Sequence, residues 1–231
     1  MTQNVVNAHQ RSGGPNPGVL AVVALALTVV GIAVAVAMSG GAALASPFGT
    51  SSGAVLARVQ EFWLPIRISA WIQVGAAVPL GVLTATLYAR QQRLGIQVPG
   101  PAIGLFGGFL ASGMLMLSGL VSWVLSRTDI SIGAGLAHAL NYLSFITGSV
   151  GFVIGVGLLI AGVAVPALIL RLVPRWLAWT GLLIAVCSEL SFLALVVEPL
   201  QFLFPIGRFG GLLWLVIVGF LLPKTRNAEH P

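Results

Sequence analysis

The stretch Leu182–Pro199, LLIAVCSELSFLALVVEP, is apolar enough to cross a bilayer, yet it carries a carboxylic acid, Glu189, near its middle. Its surroundings decide the fold. The chain has 231 residues, 58% hydrophobic and only 7% charged, with a mean hydropathy of +1.03. A soluble domain needs about 25% charged residues to wet its surface. Eleven Lys and Arg with five Asp and Glu cannot do so here, so lipid is the main solvent and the protein is an integral membrane protein.

Spanning helices need about 20 mainly apolar residues. Candidates lie at 18–39, 68–89, 102–125, 146–170, 177–197 and 205–223. Lipid demands that backbone polar groups be satisfied within the segment, and a barrel would show short alternating strands instead of these long runs. The expected fold is all-α: one six-helix transmembrane domain over 18–223. A flexible cytoplasmic N-terminus at 1–17 and a cytoplasmic tail at 224–231 are expected to flank it. Ala43-Leu44-Ala45 resembles a signal-peptidase site, but the apolar run before it exceeds the usual ~7–15 residues, so an uncleaved anchor is expected.

With six spans and an inside N-terminus, the inner side holds seven cations: Arg11, Arg90, Arg93, Arg171, Arg175, Lys224 and Arg226. The outer side holds four, Arg58, Arg67, Arg127 and Arg208. That bias places both termini in the cytoplasm. A seven-span chain with an outside N-terminus gives the same count. Residues 130–145, however, are too few and too polar for a span, with His138, Asn141, Tyr142 and Ser144. They read as an outer-surface helix or an extension of the fourth span. Near 51–64 a second short outer helix is expected, capped by Ser51 or Ser52, with Val55, Leu56, Val59, Phe62 and Trp63 on one face. It lies in the headgroup zone or packs on the bundle.

Small residues recur at helical spacing in the third span (Gly104, Gly108, Ser112, Gly119, Ser122) and the fourth (Gly148, Gly151, Gly155, Gly162). Such stripes let helix backbones approach closely. Pro79 and Pro166 are expected to bend their spans.

With the fifth span starting near Leu177, Glu189 sits twelve residues in, about 18 Å along the axis. A charge at that depth costs at least a few kcal/mol. Ala178, Gly181, Ala185 and Ser188 share its side of the helix, so Glu189 is expected to face the bundle. Polar groups at similar depth are Thr28, Gln73, Ser112, Ser149 and the Trp214 indole. Together with Glu189, Gln73, Ser112, Ser149 and Trp214 form the candidate buried polar site. Arg208, at the outer start of the sixth span, could reach inward to it, though it looks a turn or more too shallow. Two readings follow. A lone protonated Glu189 clamps two helices through a hydrogen bond, or it lines a solute path; a proton relay would need a chain of such groups, which is missing.

Catalytic chemistry is not visible. The chain lacks an HExxH zinc motif, paired membrane aspartates and a P-loop. His138 is the only histidine away from the termini, and Cys187 the only cysteine, too few for haem or metal ligation. No lysine lies within a span, and Ser149 in TGSVG has no histidine base. No catalytic residue, cofactor or metal is expected, and scattered basic singles and pairs speak against nucleic acid.

Five pieces together resemble a known family: PFGTS at 47–51, AVPLGVLTA at 77–85, GLLIAGVAVPA at 157–167, LVPRWLAWTGLLIA at 172–185 and PIGRFGGLLWLVIVGFLLP at 205–223. Across nearly its whole length the chain is similar to the small bacterial membrane proteins grouped as domain of unknown function 4386. The resemblance implies a six-helix fold in the bacterial plasma membrane and brings no reaction or site residue. By residue type alone, Arg175 and Trp176 suit an anchor at the inner interface, and Arg208 and Phe209 one at the outer.

The function expected first is a structural or regulatory membrane subunit, with the bilayer and a membrane-protein partner or second copy as its contacts. The alternative is a carrier for a small solute or lipophile using Glu189. A lipid-modifying enzyme ranks last. A polar cavity touching Glu189 would favour the carrier, and a solid interior with Glu189 bonded to a neighbour the clamp.

Overall fold

The computed structural model describes residues 14–223. Arg11, Lys224, Arg226 and most of the two expected tails lie outside the described residues. The helices are α1 Pro17–Ser39, α2 Ser52–Glu61, α3 Trp63–Arg93, α4 Gly100–Leu125, α5 Ala134–Ile169, α6 Arg175–Leu195 and α7 Glu198–Leu221. Among the described residues there is no strand. All except α2 are long and apolar enough to cross a membrane. The protein is a multi-pass, all-α, six-span bundle, and the even count brings the beginning of α1 and the end of α7 to one end. The opposite end, where α1 finishes, is called outer here on the charge bias given above.

Local chemistry sets the boundaries. Asn16 caps α1 by accepting the Gly18 N–H at 2.9 Å, with Pro17 in the first turn; that turn has no other use for its N–H groups. The helix stops at Gly40, whose φ of 60° suits glycine. At the outer end of α3, Arg67 reaches the terminal carbonyl of Ser126 after α4 at 2.6 Å. At the inner end, Arg90 donates to the Leu222 carbonyl after α7 at 3.1 Å. Each cation thus caps a neighbouring helix's negative end.

Residues 130–145 take the second of the two readings. Ala134–Ile146 runs into the fourth span through one wide π turn, Thr147–Gly151. The joined helix has 36 residues, about 54 Å at 1.5 Å each against a hydrocarbon core of about 30 Å. Its outer part therefore projects past the acyl chains. Helix α2 packs on that projection: Val55 and Val59 are buried in a small cluster with Ile66, Leu125 and Ala137. Ser52 shares a hydrogen bond with His138 at 2.9 Å, and Arg58 donates to Asn141 at 3.1 Å. The helix is capped by Ser51, as its sequence suggested.

The spans form a ring. α4 packs along α3 and α5, α1 along α3 and α7, and α6 along α5, with α7 closing on α5 and α6. The inner half is solid, filled by residues such as Leu80, Leu83, Leu87, Leu159, Ile160 and Leu215. Pro166 lacks the N–H that would bond the Gly162 carbonyl one turn earlier. Buried Gln91 of α3 supplies the donor instead, at 2.9 Å. Above this core, toward the outer cluster, the ring opens.

Candidate functional site

The opening is a cavity of about 510 Å³ at the outer end. Its walls come from the end of α1 and the following loop (Ile32, Leu44), α3 (Ser69, Gln73), α4 (Ser118, Ser122), α5 (Asn141, Ser149) and α7 (Phe204, Arg208). A side recess of about 70 Å³, lined by Thr28 and Gly31, shares Gln73 and Arg208 with it. Ile32, Leu44 and Ser69 are also common to both spaces.

The π turn of α5 explains how Arg208 is held. In a regular helix the Phe152 N–H would bond the Gly148 carbonyl, four residues back. Here it reaches Thr147, five back. The freed Gly148 carbonyl accepts from Arg208 Nη2, and the guanidinium lies over the Phe152 ring at 5.0 Å. Arg208 itself sits in a second π turn, Ile206–Gly210. Gly148 is where four helices meet: a Cβ there would strike Ser118 Oγ and lie 3.5 Å from Gln73 Nε2. Its missing side chain leaves room for Ser118 and Gln73.

Arg208 was expected as an outer-interface anchor, and this is corrected. Helix α7 begins at Glu198 and not at 205, so Arg208 comes ten residues in (208 − 198) and turns into the bundle. Phe209 lines the cavity. Arg175 and Trp176 are exposed on the first turn of α6, where an interfacial anchor would be.

The five residues grouped as one polar site are not one site. Gln73 and Ser149 line the cavity, Gln73 donating to the Leu115 carbonyl at 3.3 Å and Ser149 to Phe145 at 2.6 Å. Ser112 bonds the Ala77 carbonyl at 2.8 Å, between α4 and α3. Trp214 donates to Leu177 at 2.8 Å, its indole seated on Gly181 between α7 and α6. Glu189 does lie on the packed side, beside buried Ala178, Ala185 and Ser188. Its carboxyl rests over Gly157 of α5.

Glu189 neither touches the cavity nor clamps. Its enclosed Oε1 has no hydrogen-bond partner among the described residues. With no partner to strand, the two variants should behave alike. Glu189→Gln and Glu189→Leu should each lie within about 1 kcal/mol of wild type in reversible unfolding in mixed micelles. A Leu variant weaker than Gln by about 2 kcal/mol or more would restore the clamp.

What the cavity can do follows from its donors. Ser69, Ser118 and Ser149 already give their hydroxyl protons to the carbonyls of Ile66, Ser144 and Phe145. Among the described residues the only ion pair is Arg127–Asp129, so Arg208 has no carboxylate. A groove of similar size, about 520 Å³, at the inner end carries Arg90 and Arg93, but Arg90 is occupied in capping α7. The outer cavity is the stronger candidate. Compared with known proteins, the chain matches no family model, no curated protein and no solved structure.

Proposed function

We propose that the protein is a carrier-type membrane protein that takes a small solute or lipophile into the outer cavity. One observation carries this reading. A space of about 510 Å³, within the ~300–1,000 Å³ of ligand sites, sits inside a ring of spans with an uncompensated cation on its floor. The expected carrier site is thereby moved from Glu189 to Arg208. Pro79 in α3 and the two π turns in α5 and α7 give three of the surrounding spans an interrupted backbone ladder, which supports movement of the walls. The subunit reading has no feature of its own here, since exposed apolar faces suit lipid as well as a partner. A location in the bacterial plasma membrane and membership of the family named above rest on the sequence resemblance.

The test fills the cavity. Wild type and Ser149→Phe, in phosphatidylcholine nanodiscs, are titrated with laurate and with 1-dodecanol and read by native mass spectrometry. At least one chain should bind wild type at one per protein and bind Ser149→Phe about tenfold more weakly. If neither chain binds, the cavity does not take a lipophile; if a chain binds and the ring changes nothing, that chain binds elsewhere.

A further inference from the structure

The cavity's unused hydrogen-bonding groups say what part of a ligand it would hold. Every hydroxyl on the deep wall at Ser69, Ser118 and Ser149 is committed to a backbone carbonyl. Thr28, in the side recess, is likewise bonded to Ala24. The groups left free to donate are N–H groups, beside acceptor lone pairs on those hydroxyls and on the Gln73 and Gln201 amide oxygens. Arg208 carries five and gives one end to Gly148. Gln73 uses one amide hydrogen on Leu115 and keeps the other. Nearer the rim, Asn141 accepts from Arg58 through its oxygen, leaving its amide N–H groups unused, and Gln201 adds a second amide. The floor therefore offers free N–H donors and a positive charge, and no acid lines the cavity. A cation would be repelled, and a neutral group would leave the guanidinium uncompensated at a depth where charge is costly.

Resting on the carrier reading above, we propose that the cavity binds an anionic oxygen group, a carboxylate or a phosphate monoester, on Arg208 and Gln73. Such a group accepts two N–H bonds from the guanidinium fork and a third from the Gln73 amide. It supplies the counter-charge that the bundle lacks. The anion arrives either on an alkyl chain, which Leu44, Phe204 and Phe209 would line, or free in solution.

Four probes separate these possibilities in the same nanodiscs: laurate, dodecyl phosphate, 1-dodecanol and inorganic phosphate. Laurate and dodecyl phosphate should bind at least about tenfold tighter than dodecanol, the preference one charge-assisted pair confers. Arg208→Gln should bring that ratio to about threefold or less, and Arg208→Lys should keep part of it. Should Arg208→Gln not fold, Gln73→Leu serves instead, with an expected loss of about threefold for the anions alone. Inorganic phosphate binding as tightly as dodecyl phosphate would support a free anion as the source; phosphate binding only on a chain would support an amphiphile. Dodecanol binding as tightly as laurate overturns the anion assignment and leaves the cavity reading standing. Failure of all four overturns both.

Discussion

Replacing Gly155 with valine should abolish the folded bundle. A Cβ on Gly155 would stand 2.5 Å from the Ala111 nitrogen and 2.7 Å from the Gly107 carbonyl oxygen. Those are backbone atoms of α4 and cannot rotate away, so α4 and α5 would have to separate along their main contact. Within a membrane, that contact rests on dispersion and not on expulsion of water. Overpacking a core commonly costs about 1–3 kcal/mol when side chains can yield; here the loss should exceed it. Gly113, on the same helix as Ala111, has nothing within 4 Å, so Gly113→Ala should stabilise by roughly 0.5–1 kcal/mol through helix propensity. Monodisperse yield and thermal melting of the pair measure this. A Gly155→Val protein that melts with wild type would mean that the α4–α5 approach is wrong.

The second large effect is expected at the inner end. Gln91→Leu should cost about 1–3 kcal/mol, because it strands the Gly162 carbonyl away from water. The sign of the rescue is specific. Pro166→Ala restores the N–H that a regular helix would give that carbonyl, so the Gln91→Leu penalty should shrink in the Pro166→Ala background. A double-mutant cycle reads the coupling directly, expected at about 0.5 kcal/mol or more. Additive penalties would show that Gln91 contributes by packing alone.

The spans were legible because length and apolarity are enough to identify them, and their edges were not. Helix α3 begins at Trp63 and ends at Arg93, several residues outside its apolar run, because Arg67 and Gln91 keep helical backbone while serving neighbouring carbonyls. The side of α6 that packs was legible from Ala178, Gly181, Ala185 and Ser188, since small residues must lie where helices touch. Whether Glu189 found a partner was not, for that depends on which atoms of α5 arrive opposite. Arg208 was misread because α7 was started at Pro205, which hid how deep it lies. The reasoning applied to Glu189, a single charge within an apolar run, applies to Arg208 once Glu198–Phe202 is counted as helix. The cavity itself has no compositional mark, as its lining is gathered from five separate stretches of the chain.

The two π turns carry a consequence of another kind. A π turn holds one amino acid more than the helix around it requires, and both flanks keep their faces toward the same neighbours. Excising a single codon from 147–151, and another from 206–210, would leave two ordinary helices in the same places, with Gly148 no longer offering its oxygen to Arg208. The seat of Arg208 is therefore written in the number of residues as well as in their kind.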